Sequence, residues 1–565
     1  MSVLAGERGS AASGRSAVVC TGLTFAWPDG APVFTDLDMT LSTGRTGLIG
    51  RNGSGKSTLL RLIAGDLQPQ RGSVSVTGSL GYLPQQLSIA ADASVEHVLG
   101  IDDIRAAIRA VEHGSTDTAD FDRIGDDWDI DEKARATLDR LGLGQVELER
   151  SIGGLSGGEA MLLRLAAELL RGPDVLLLDE PTNNLDLTAR RRLYAAVDAW
   201  RGSLLVVSHD RELLERVDQV ADMRPDGVRV FGGTLSAYLS ALEVEQEAAE
   251  RTVRAAEGEV RRERRELTES KTKQARHDKQ GRRAAASGMP KMVAHARRRA
   301  AQETAGRSAD VHEQRLAAAR ERLEQAEAAV RDDDVIRIDL PDTVIPNGRI
   351  ALSVSDLYLR TGDVVSMEVR GPERIALVGA NGSGKTTLLR TIVGELTAEP
   401  AEDAVRVPVP VRYLPQRLDV LDEGLSIVDN VARFAPDETE NRIHGALARF
   451  LFVQRAAEQR VASLSGGERF RATLAALLLA QPAPQLLLLD EPTNNLDLDS
   501  VAQLADALTA YAGALIVASH DLPFLRQIGI TRWLELRPGD GPANALHDIE
   551  PPLADAAEGA PPEGG

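Results

Sequence analysis

Short, largely apolar runs, each followed by a polar or glycine-rich turn, occur in the same order in both halves of the chain. Four such runs are Thr46–Ile49, Val175–Leu178, Ile375–Val378 and Leu486–Leu489. Continuous apolar runs of this length are typical of strands that are buried on both faces of a parallel sheet. The pattern therefore predicts an α/β domain in each half of the chain.

A helical pattern separates the two halves. From Leu235 to Ala286 the chain has no proline, and alanine and leucine recur at heptad-like spacing among glutamate and arginine. This predicts a long helix that breaks at 287–290, followed by a second helix from about Lys291 to Arg331. At about 1.5 Å per residue, two arms of roughly forty residues would form an antiparallel hairpin on the order of 60 Å long.

These patterns divide the chain into five segments. A chain of 565 residues is too long for a single core,. The tails are rich in small and polar residues that cannot bury enough surface to order themselves. We therefore expect a disordered tail (1–16), a first α/β domain called repeat 1 (17–240), a helical hairpin linker (241–334), a second domain called repeat 2 (335–537) and a disordered tail (538–565).

The same ordered set of polar motifs occurs in both repeats. Each has a glycine-rich loop, a Gln, a Leu-Ser-Gly-Gly-Glu motif, an Asp-Glu pair, an Asp and a His. The separation from the Glu to the His is 29 positions in both, from Glu180 to His209 and from Glu491 to His520. Equal spacing of this kind indicates an internal duplication.

The glycine-rich loops have the composition of phosphate-binding loops. Each follows a predicted strand and opens a helix, so that backbone N–H groups and a helix N-terminus can surround phosphate groups. Lys56 and Lys385 would reach the outer phosphate oxygens, and Ser57 and Thr386 would bind Mg²⁺. The candidate nucleotide-binding residues of the loops are Gly50, Arg51, Asn52, Gly53, Ser54, Gly55, Lys56, Ser57 and Thr58, and Gly379, Ala380, Asn381, Gly382, Ser383, Gly384, Lys385, Thr386 and Thr387.

An Asp-Glu pair ends the second apolar run of each repeat. The carboxyl ends of strands are where open α/β sheets bind their ligands. We expect Asp179 and Asp490 to hold Mg²⁺ through water, and Glu180 and Glu491 to polarise the attacking water,.

The order of these motifs resembles that of the ATP-binding-cassette superfamily, over about 420 residues,. The resemblance implies two P-loop ATP-binding cassettes that close head to tail on two ATP molecules within one monomer. It also implies that His209 and His520 contact the γ-phosphate as further catalytic residues, although a lone His is more often a core or surface residue. Gln85 and Gln416 would bind nucleotide and metal. The signature residues that would cap the ATP of the opposite repeat are Ser156, Gly157 and Gly158, and Ser465, Gly466 and Gly467.

An aromatic residue precedes only the first loop at the family's adenine position. Trp27 lies 23 positions before Gly50, where the resemblance implies stacking under adenine, with a core Trp as the alternative,. The matching position of repeat 2 is Thr361, and Tyr358 is out of register. The two ATP sites are therefore expected to differ.

Composition excludes several classes of protein. No run of 18 apolar residues exists and residues 1–16 lack a signal-peptide core, so we expect a cytoplasmic protein without stable membrane insertion,. The one cysteine, Cys20, cannot form an internal disulfide and belongs to no metal-ligand cluster,.

Charge is distributed unevenly along the chain. The stretch 261–307, called the basic segment, has 15 Arg and Lys against 5 Asp and Glu, on a chain of net charge −20. It also holds four of the seven lysines. No aromatic residue lies between Tyr238 and Tyr358, so the segment cannot stack unpaired bases and suits phosphate backbone instead,. A passive, solvated spacer is the alternative.

Twin cassettes, a helical linker and Glu-Pro-Thr-Asn-Asn-Leu-Asp after both Asp-Glu strands resemble the ABC-F family. This resemblance implies a translation ATPase that enters the ribosomal tRNA exit site and contacts rRNA and tRNA through the basic segment, either as a translation factor or in antibiotic resistance. One rival is an ATPase that serves a separate membrane transporter. A DNA-repair ATPase usually needs zinc-binding cysteines, and one cysteine argues against it,.

Overall fold

A computed structural model describes most of the chain. The described residues are 16–85, 92–183, 185–285, 311, 314–328, 341–360, 362–397, 404–494, 496–537 and 544–552. The chain divides into two compact units, one of Met1–Leu235 with Val335–Gly565 and one of Ser236–Asp334. Most of the amino-terminal tail, residues 286–310 of the predicted hairpin and Thr361 lie outside the described residues.

Repeat 1 combines an antiparallel sheet with a mainly parallel one. Its strands are β1 (Ser16–Ala26), β2 (Pro32–Ser42), β3 (Arg45–Gly50), β4 (Arg71–Val76), β5 (Leu80–Leu83), β6 (Val175–Asp179), β7 (Ser203–Val207), β8 (Gln219–Arg224) and β9 (Gly227–Gly232). The antiparallel sheet has the order β2-β1-β4, and the other has the order β5-β6-β7-β3-β8-β9. All pairs in the latter are parallel except β8 with β9.

The described part of repeat 1 also contains α-helices. They are α1 (Lys56–Ala64), α2 (Val95–Leu99), α3 (Asp102–Glu112), α4 (Thr118–Ile124), α5 (Ile130–Arg140), α6 (Gly157–Arg171), α7 (Leu187–Ala199) and α8 (Arg211–Leu214), with a 3₁₀ turn at Ile152–Gly154. Every residue of β6 and of β7 is buried, as continuous apolar runs predict for central parallel strands,. Cys20 is buried in β1, and burial raises the pKa of its thiol to about 12.

The second unit is helical. Helix α9 (Leu235–Ala285) confirms the first predicted arm over these residues, and the predicted break at 287–290 lies outside the described residues. Residues 314–328 form a further helix, α10. Arg322 of α10 donates to Glu259 of α9 at 2.5 Å, and the small side chains of Ala256, Ala319 and Ala326 are buried. The two helices therefore pack together in this stretch.

Repeat 2 duplicates the architecture of repeat 1. Its strands are β10 (Ile350–Tyr358), β11 (Val364–Arg370), β12 (Arg374–Val378), β13 (Val405–Arg406), β14 (Val411–Leu414), β15 (Leu486–Asp490), β16 (Ala514–Ala518), β17 (Arg532–Leu536) and β18 (Leu546–Ile549). Its helices are α11 (Lys385–Ile392), α12 (Ile427–Phe434), α13 (Glu440–Arg449), α14 (Gly466–Leu478), α15 (Leu498–Ala510) and α16 (Leu522–Gln527), with 3₁₀ turns at Pro341–Thr343, Gln454–Ala456 and Val461–Ser463. The sheet orders are β11-β10-β13 and β14-β15-β16-β12-β17-β18. The prediction of two α/β P-loop domains is confirmed.

One part of the predicted carboxy-terminal tail is ordered. Strand β18 pairs antiparallel with β17, from Trp533 opposite Ile549 to Leu536 opposite Leu546. Ala545 and Leu546 are buried in the core. The prediction that 538–565 is wholly disordered is therefore wrong, because a few apolar residues of an edge strand gain both a backbone partner and a buried face. Residues 553–565 lie outside the described part.

Candidate functional site

The glycine-rich loop of repeat 1 connects β3 to α1. Gly55 has a φ of 98°, which only glycine adopts without strain, and it lets α1 begin at Lys56,. A Cβ at Gly50 would lie 2.7 Å from the Met223 carbonyl oxygen, so the chain passes too closely for a side chain. Lys56 folds over the loop, and its Nζ donates to the carbonyl oxygens of Gly50 (2.8 Å) and Arg51 (3.0 Å).

The loop of repeat 2 repeats this geometry. Gly384 has a φ of 100° before α11, and Lys385 Nζ donates to the carbonyl oxygens of Gly379 (2.7 Å) and Ala380 (3.1 Å). Each lysine thus closes a ring of backbone around a helix N-terminus, where a phosphate group is favoured.

Two buried hydroxyls support phosphate as the occupant of these loops. Ser54 Oγ and Ser383 Oγ are buried at matching positions and have no hydrogen-bond partner within the described chain. A buried polar group without a partner is costly, so each hydroxyl is suited to a ligand that fills the loop. The two loops therefore fit a nucleotide's phosphates.

A hydroxyl and a carboxylate lie together beside each loop. Ser57 Oγ donates to Asp179 Oδ1 at 3.0 Å, and Thr386 forms a side-chain hydrogen bond to Asp490. Burial raises the pKa of both aspartates, since an ionised carboxylate is poorly solvated there,. Such oxygen donors are the ones that Mg²⁺ prefers, so Ser57 with Asp179, and Thr386 with Asp490, fit a Mg²⁺ ion.

A cavity of about 430 Å³ adjoins the first loop. The predicted residues that line it are Trp27, Asn52, Gly53, Gly55, Lys56, Ser57, Thr58, Gln85, Glu180 and His209. Gly50, Arg51, Ser54 and Asp179 belong to the same loop and strand end but are not among the lining residues. Trp27 also packs edge-on against Phe25, with ring centroids 5.2 Å apart.

A second cavity of about 360 Å³ adjoins the loop of repeat 2. The predicted residues that line it are Asn381, Gly382, Gly384, Lys385, Thr386, Thr387, Gln416, Asp490, Glu491 and His520. No aromatic side chain is among its described lining residues, and Tyr358 is 48% exposed elsewhere. Gly379, Ala380 and Ser383 do not line the cavity.

Glu180 and His209 face each other at the first cavity. His209 Nε2 lies 3.2 Å from Glu180 Oε1, and both side chains are nearly buried. Glu180 has a φ of 48°, a left-handed conformation that costs on the order of 1–3 kcal/mol and is typical of functional positions,. Burial raises the pKa of Glu180 to about 8 against the pull of Lys56, and burial lowers the pKa of His209 to about 3. The His209 imidazole is thus neutral at pH 7. A cation beside Glu180 would favour the ionised form of the Glu180 carboxyl group.

The equivalent pair occurs at the second cavity. His520 Nε2 lies 3.4 Å from Glu491 Oε1, and Glu491 has a φ of 46°. Burial raises the pKa of Glu491 to about 7, opposed first by Arg190 and then by Lys385. Burial lowers the pKa of His520 to about 2. In the described chain neither imidazole has a partner with hydrogen-bond geometry, and each histidine lines its cavity, so each ring can meet a ligand there.

The signature residues lie at helix starts instead of in the cavities. Ser156 caps α6 and Ser465 caps α14, each in a reciprocal capping box with the Glu three residues later,. Ser156, Gly157, Gly158, Ser465, Gly466 and Gly467 do not line either cavity. Their action on the opposite ATP stays a prediction.

Contacts between the repeats involve residues that sequence reasoning left without a role. Asp497 Oδ2 accepts from the Asn52 N–H at 2.9 Å, and Asp186 Oδ2 accepts from the Asn381 N–H at 3.4 Å. Arg190 of repeat 1 lines the second cavity. The duplicated Leu-Asp after each Glu-Pro-Thr-Asn-Asn motif could have indicated the aspartates, whereas nothing local marks Arg190.

The comparisons with known proteins agree with this duplication. The family model described as "ABC transporter" matches residues 34–183 and 363–494. Among the described residues, no helix has both the length and the apolar character needed to cross a membrane.

Relatives match almost the whole chain. The tylosin resistance ATP-binding protein TlrC of Streptomyces fradiae is 34% identical over 545 residues, which is 90% of this chain and 96% of the relative. The probable ATP-binding protein YheS of Escherichia coli K12 is 30% identical, over 91% of this chain and 78% of the relative. A model of ribosome-bound archaeal Pelota and ABCE1 shares the fold, with a TM-score of 0.51 and 18% identity over 90% of this chain and 74% of the neighbour.

Two glycine-rich loops, two Asp-Glu strand ends and two neutral histidines thus occur in one chain that matches these ATP-binding proteins over most of its length. This chain belongs to the ABC-F family of ATP-binding proteins and is an ATPase.

Proposed function

We propose that this protein binds the bacterial ribosome and uses ATP to act on translation, with rRNA and tRNA contacted by the basic segment. Two ATP molecules, each with Mg²⁺, would be held at the two cavities, and the repeats would close on them within a cytoplasmic monomer. Glu180 and Glu491 would activate water, and His209 and His520 would contact the γ-phosphates.

The distribution of charge carries this proposal. Outside the basic segment the chain has a net charge of −30, whereas the segment itself has +10. The described part of the segment lies on α9, and its exposed basic side chains are Arg261, Arg262, Arg264, Arg265, Lys271, Lys273 and Arg276. Some of this charge is paired along the helix, as Arg261 is with Glu257 (3.3 Å) and Arg265 with Glu269 (2.9 Å). Pairs of this exposed type contribute little to stability, so the arginines can exchange their partners for phosphates.

The helix suits structured RNA better than single strands. Its basic side chains are on a helix whose one aromatic residue, Tyr238, is buried near the start, so the described basic segment offers no ring for base stacking,. Phosphate contacts of this kind give affinity and orientation without reading sequence.

The relative named for tylosin resistance supports drug resistance as the outcome of ribosome binding. YheS is named only as a probable ATP-binding protein, which leaves a general role in translation as the alternative outcome. Susceptibility of a sensitive bacterium to tylosin, with and without this chain, would separate the two.

A second candidate is an ATPase that serves a separate membrane transporter. The description of the matching family model, "ABC transporter", favours it. This alternative gives the basic segment no function.

Co-sedimentation tests the proposal. The Glu180→Gln, Glu491→Gln protein should sediment with ribosomes in ATP and less so in ADP, and it should not sediment with membrane vesicles. Replacing Lys271, Lys273, Lys279, Lys291, Arg297, Arg298 and Arg299 with Gln should weaken this binding, because glutamine keeps helix propensity but removes the charge. Each lost phosphate contact should make the log–log salt dependence shallower by about one unit at most.

A matched control is the replacement of Arg251 and Arg254 by Gln, which removes exposed charge from α9 outside the basic segment. This control should bind as the parent does. Equal binding by the seven-fold variant, or sedimentation with membranes in place of ribosomes, would refute the proposal.

A further inference from the structure

An arginine of repeat 1 enters the cavity of repeat 2. Arg190 lies in the first turn of α7, four residues after Asp186, which caps that helix. Its side chain is 11% exposed and lines the second cavity together with Lys385, Glu491 and His520. Leu185, which also comes from repeat 1, lies beside it.

Two acceptors hold the guanidinium in place. Arg190 Nε donates to the Leu185 carbonyl oxygen at 3.2 Å, and Nη1 donates to Asp210 Oδ2 at 3.2 Å. Asp210 is itself fixed, because it accepts from the Tyr194 hydroxyl at 2.7 Å and from the Leu213 N–H at 2.9 Å. A guanidinium has five N–H donors, so donors remain for groups in the cavity after these two bonds.

The cation acts on the carboxylate across the boundary between the repeats. Glu491 and Asp521 of repeat 2 are among the groups whose negative charge acts on Arg190, along with Asp210. A planar guanidinium matches a carboxylate in shape as well as in charge. Arg190 and Glu491 therefore attract each other across the second cavity.

Among the residues that the structure describes, the first cavity has no counterpart to this arginine. Val501 follows Asp497 by four residues, as Arg190 follows Asp186, but it is apolar and 3% exposed in the core of repeat 2. All lining residues of the first cavity belong to repeat 1. The duplication is thus broken at a position next to a catalytic carboxylate.

We propose that Arg190 is a positioning residue that repeat 1 supplies to the ATP site of repeat 2, where it orients Glu491 toward the attacking water. Hydrolysis at the second site then requires the partner repeat to present α7, and hydrolysis at the first site does not require the matching residue. The proposal builds on the role proposed above for Glu491.

Site-resolved turnover tests it. The Glu180→Gln protein reports hydrolysis at the second site, and the Glu491→Gln protein reports hydrolysis at the first. Arg190→Met should lower kcat at the second site by about tenfold or more with KM for ATP changed less than about threefold, because orientation of the carboxylate matters most in the transition state. First-site turnover should stay within about twofold of its parent.

Three controls separate positioning from structural support. Arg191→Met removes an exposed cation from the same turn of α7 and should leave both sites active. Arg190→Lys keeps a cation and should recover part of the loss. Arg190→Met leaves the Asp210 carboxylate without its arginine partner, and adding Asp210→Asn removes that charge. If the second change restored second-site turnover, Arg190 would serve only as the partner of Asp210 and the proposal would fail.

Two further outcomes would also decide whether the proposal holds. Equal losses in both backgrounds, or no loss in either, would overturn the proposal. If Glu180→Gln and Glu491→Gln each left total turnover unchanged without the Arg190 substitution, the assignment of the catalytic carboxylates would fail instead, which is a separate result.

Discussion

The backbone N–H of Asn52 donates a 2.9 Å hydrogen bond to the side chain of Asp497, 445 positions away. The other carboxylate oxygen of Asp497 accepts from the Ser500 N–H at 2.9 Å and so caps α15. One carboxylate therefore links the phosphate loop of repeat 1 to the start of a helix in repeat 2.

Substitution of Asp497 should separate its two roles. Asp497→Ala should lower the free energy of unfolding by about 0.5–2 kcal/mol, since it removes a helix cap. Asp497→Asn should cost less in thermal or urea unfolding, because Asn also caps helices, while it weakens the bond to Asn52. Equal stability of the Ala variant and the parent would show that the cap contributes nothing here.

Replacement of the two proposed catalytic carboxylates should stop turnover without stopping binding. In Glu180→Gln with Glu491→Gln the amide is nearly isosteric but cannot accept the water's proton, so ATP should bind and persist. Phosphate release and ATP binding, measured on the same preparation, check this. Turnover near the parent rate would mean that other groups activate the water.

The two cavities should respond differently to loss of an aromatic residue. Trp27→Ala should weaken nucleotide binding at the first site by about 1–3 kcal/mol if its ring stacks on adenine. Tyr358→Ala should have little effect, since that side chain is 48% exposed and does not line the second cavity. Titration of proteins that retain one functional site measures both, and similar losses from the two substitutions would count against adenine stacking at Trp27 alone.

Acid should destabilise the nucleotide-free protein through its buried histidines. Burial lowers the pKa of His209 from 6.5 to about 3 and that of His520 to about 2, so between pH 6.5 and 3 these two groups bind more protons in the unfolded chain than in the folded one,. The raised pKa values of Glu180 and Glu491 act in the opposite direction, so the histidine effect is measured as a difference between variants. The contribution of the two histidines to stability is present above pH 6.5 and is lost as the pH falls toward 3. His209→Gln with His520→Gln should therefore flatten the fall in melting temperature over this range.

Replacement of the exposed His113 by Gln is the control for this pH series and should leave the slope unchanged. An identical slope in the double variant and the parent would mean that other groups set the acid sensitivity.

Local patterns were sufficient to predict the elements of the two candidate phosphate sites. The glycine-rich loops, the runs that became β6 and β15, and the Asp-Glu strand ends are encoded in a few consecutive residues. The helical character of α9 also followed from the absence of proline and the helical spacing of alanine and leucine. In each of these cases the element is stabilised by interactions among its own residues or by burial of its apolar side chains. A local sequence pattern predicts both.

Tertiary structure decided the features that depend on distant partners. Strand β18 exists because β17 offers it an edge, although its composition resembles that of a tail. Arg190 enters the second cavity only because α7 of one repeat meets the other repeat, and its neighbours Arg191 and Arg192 have the same chemistry in the sequence. The interactions that stabilise these two features join segments that are far apart in the chain. They therefore leave no local periodicity in the sequence.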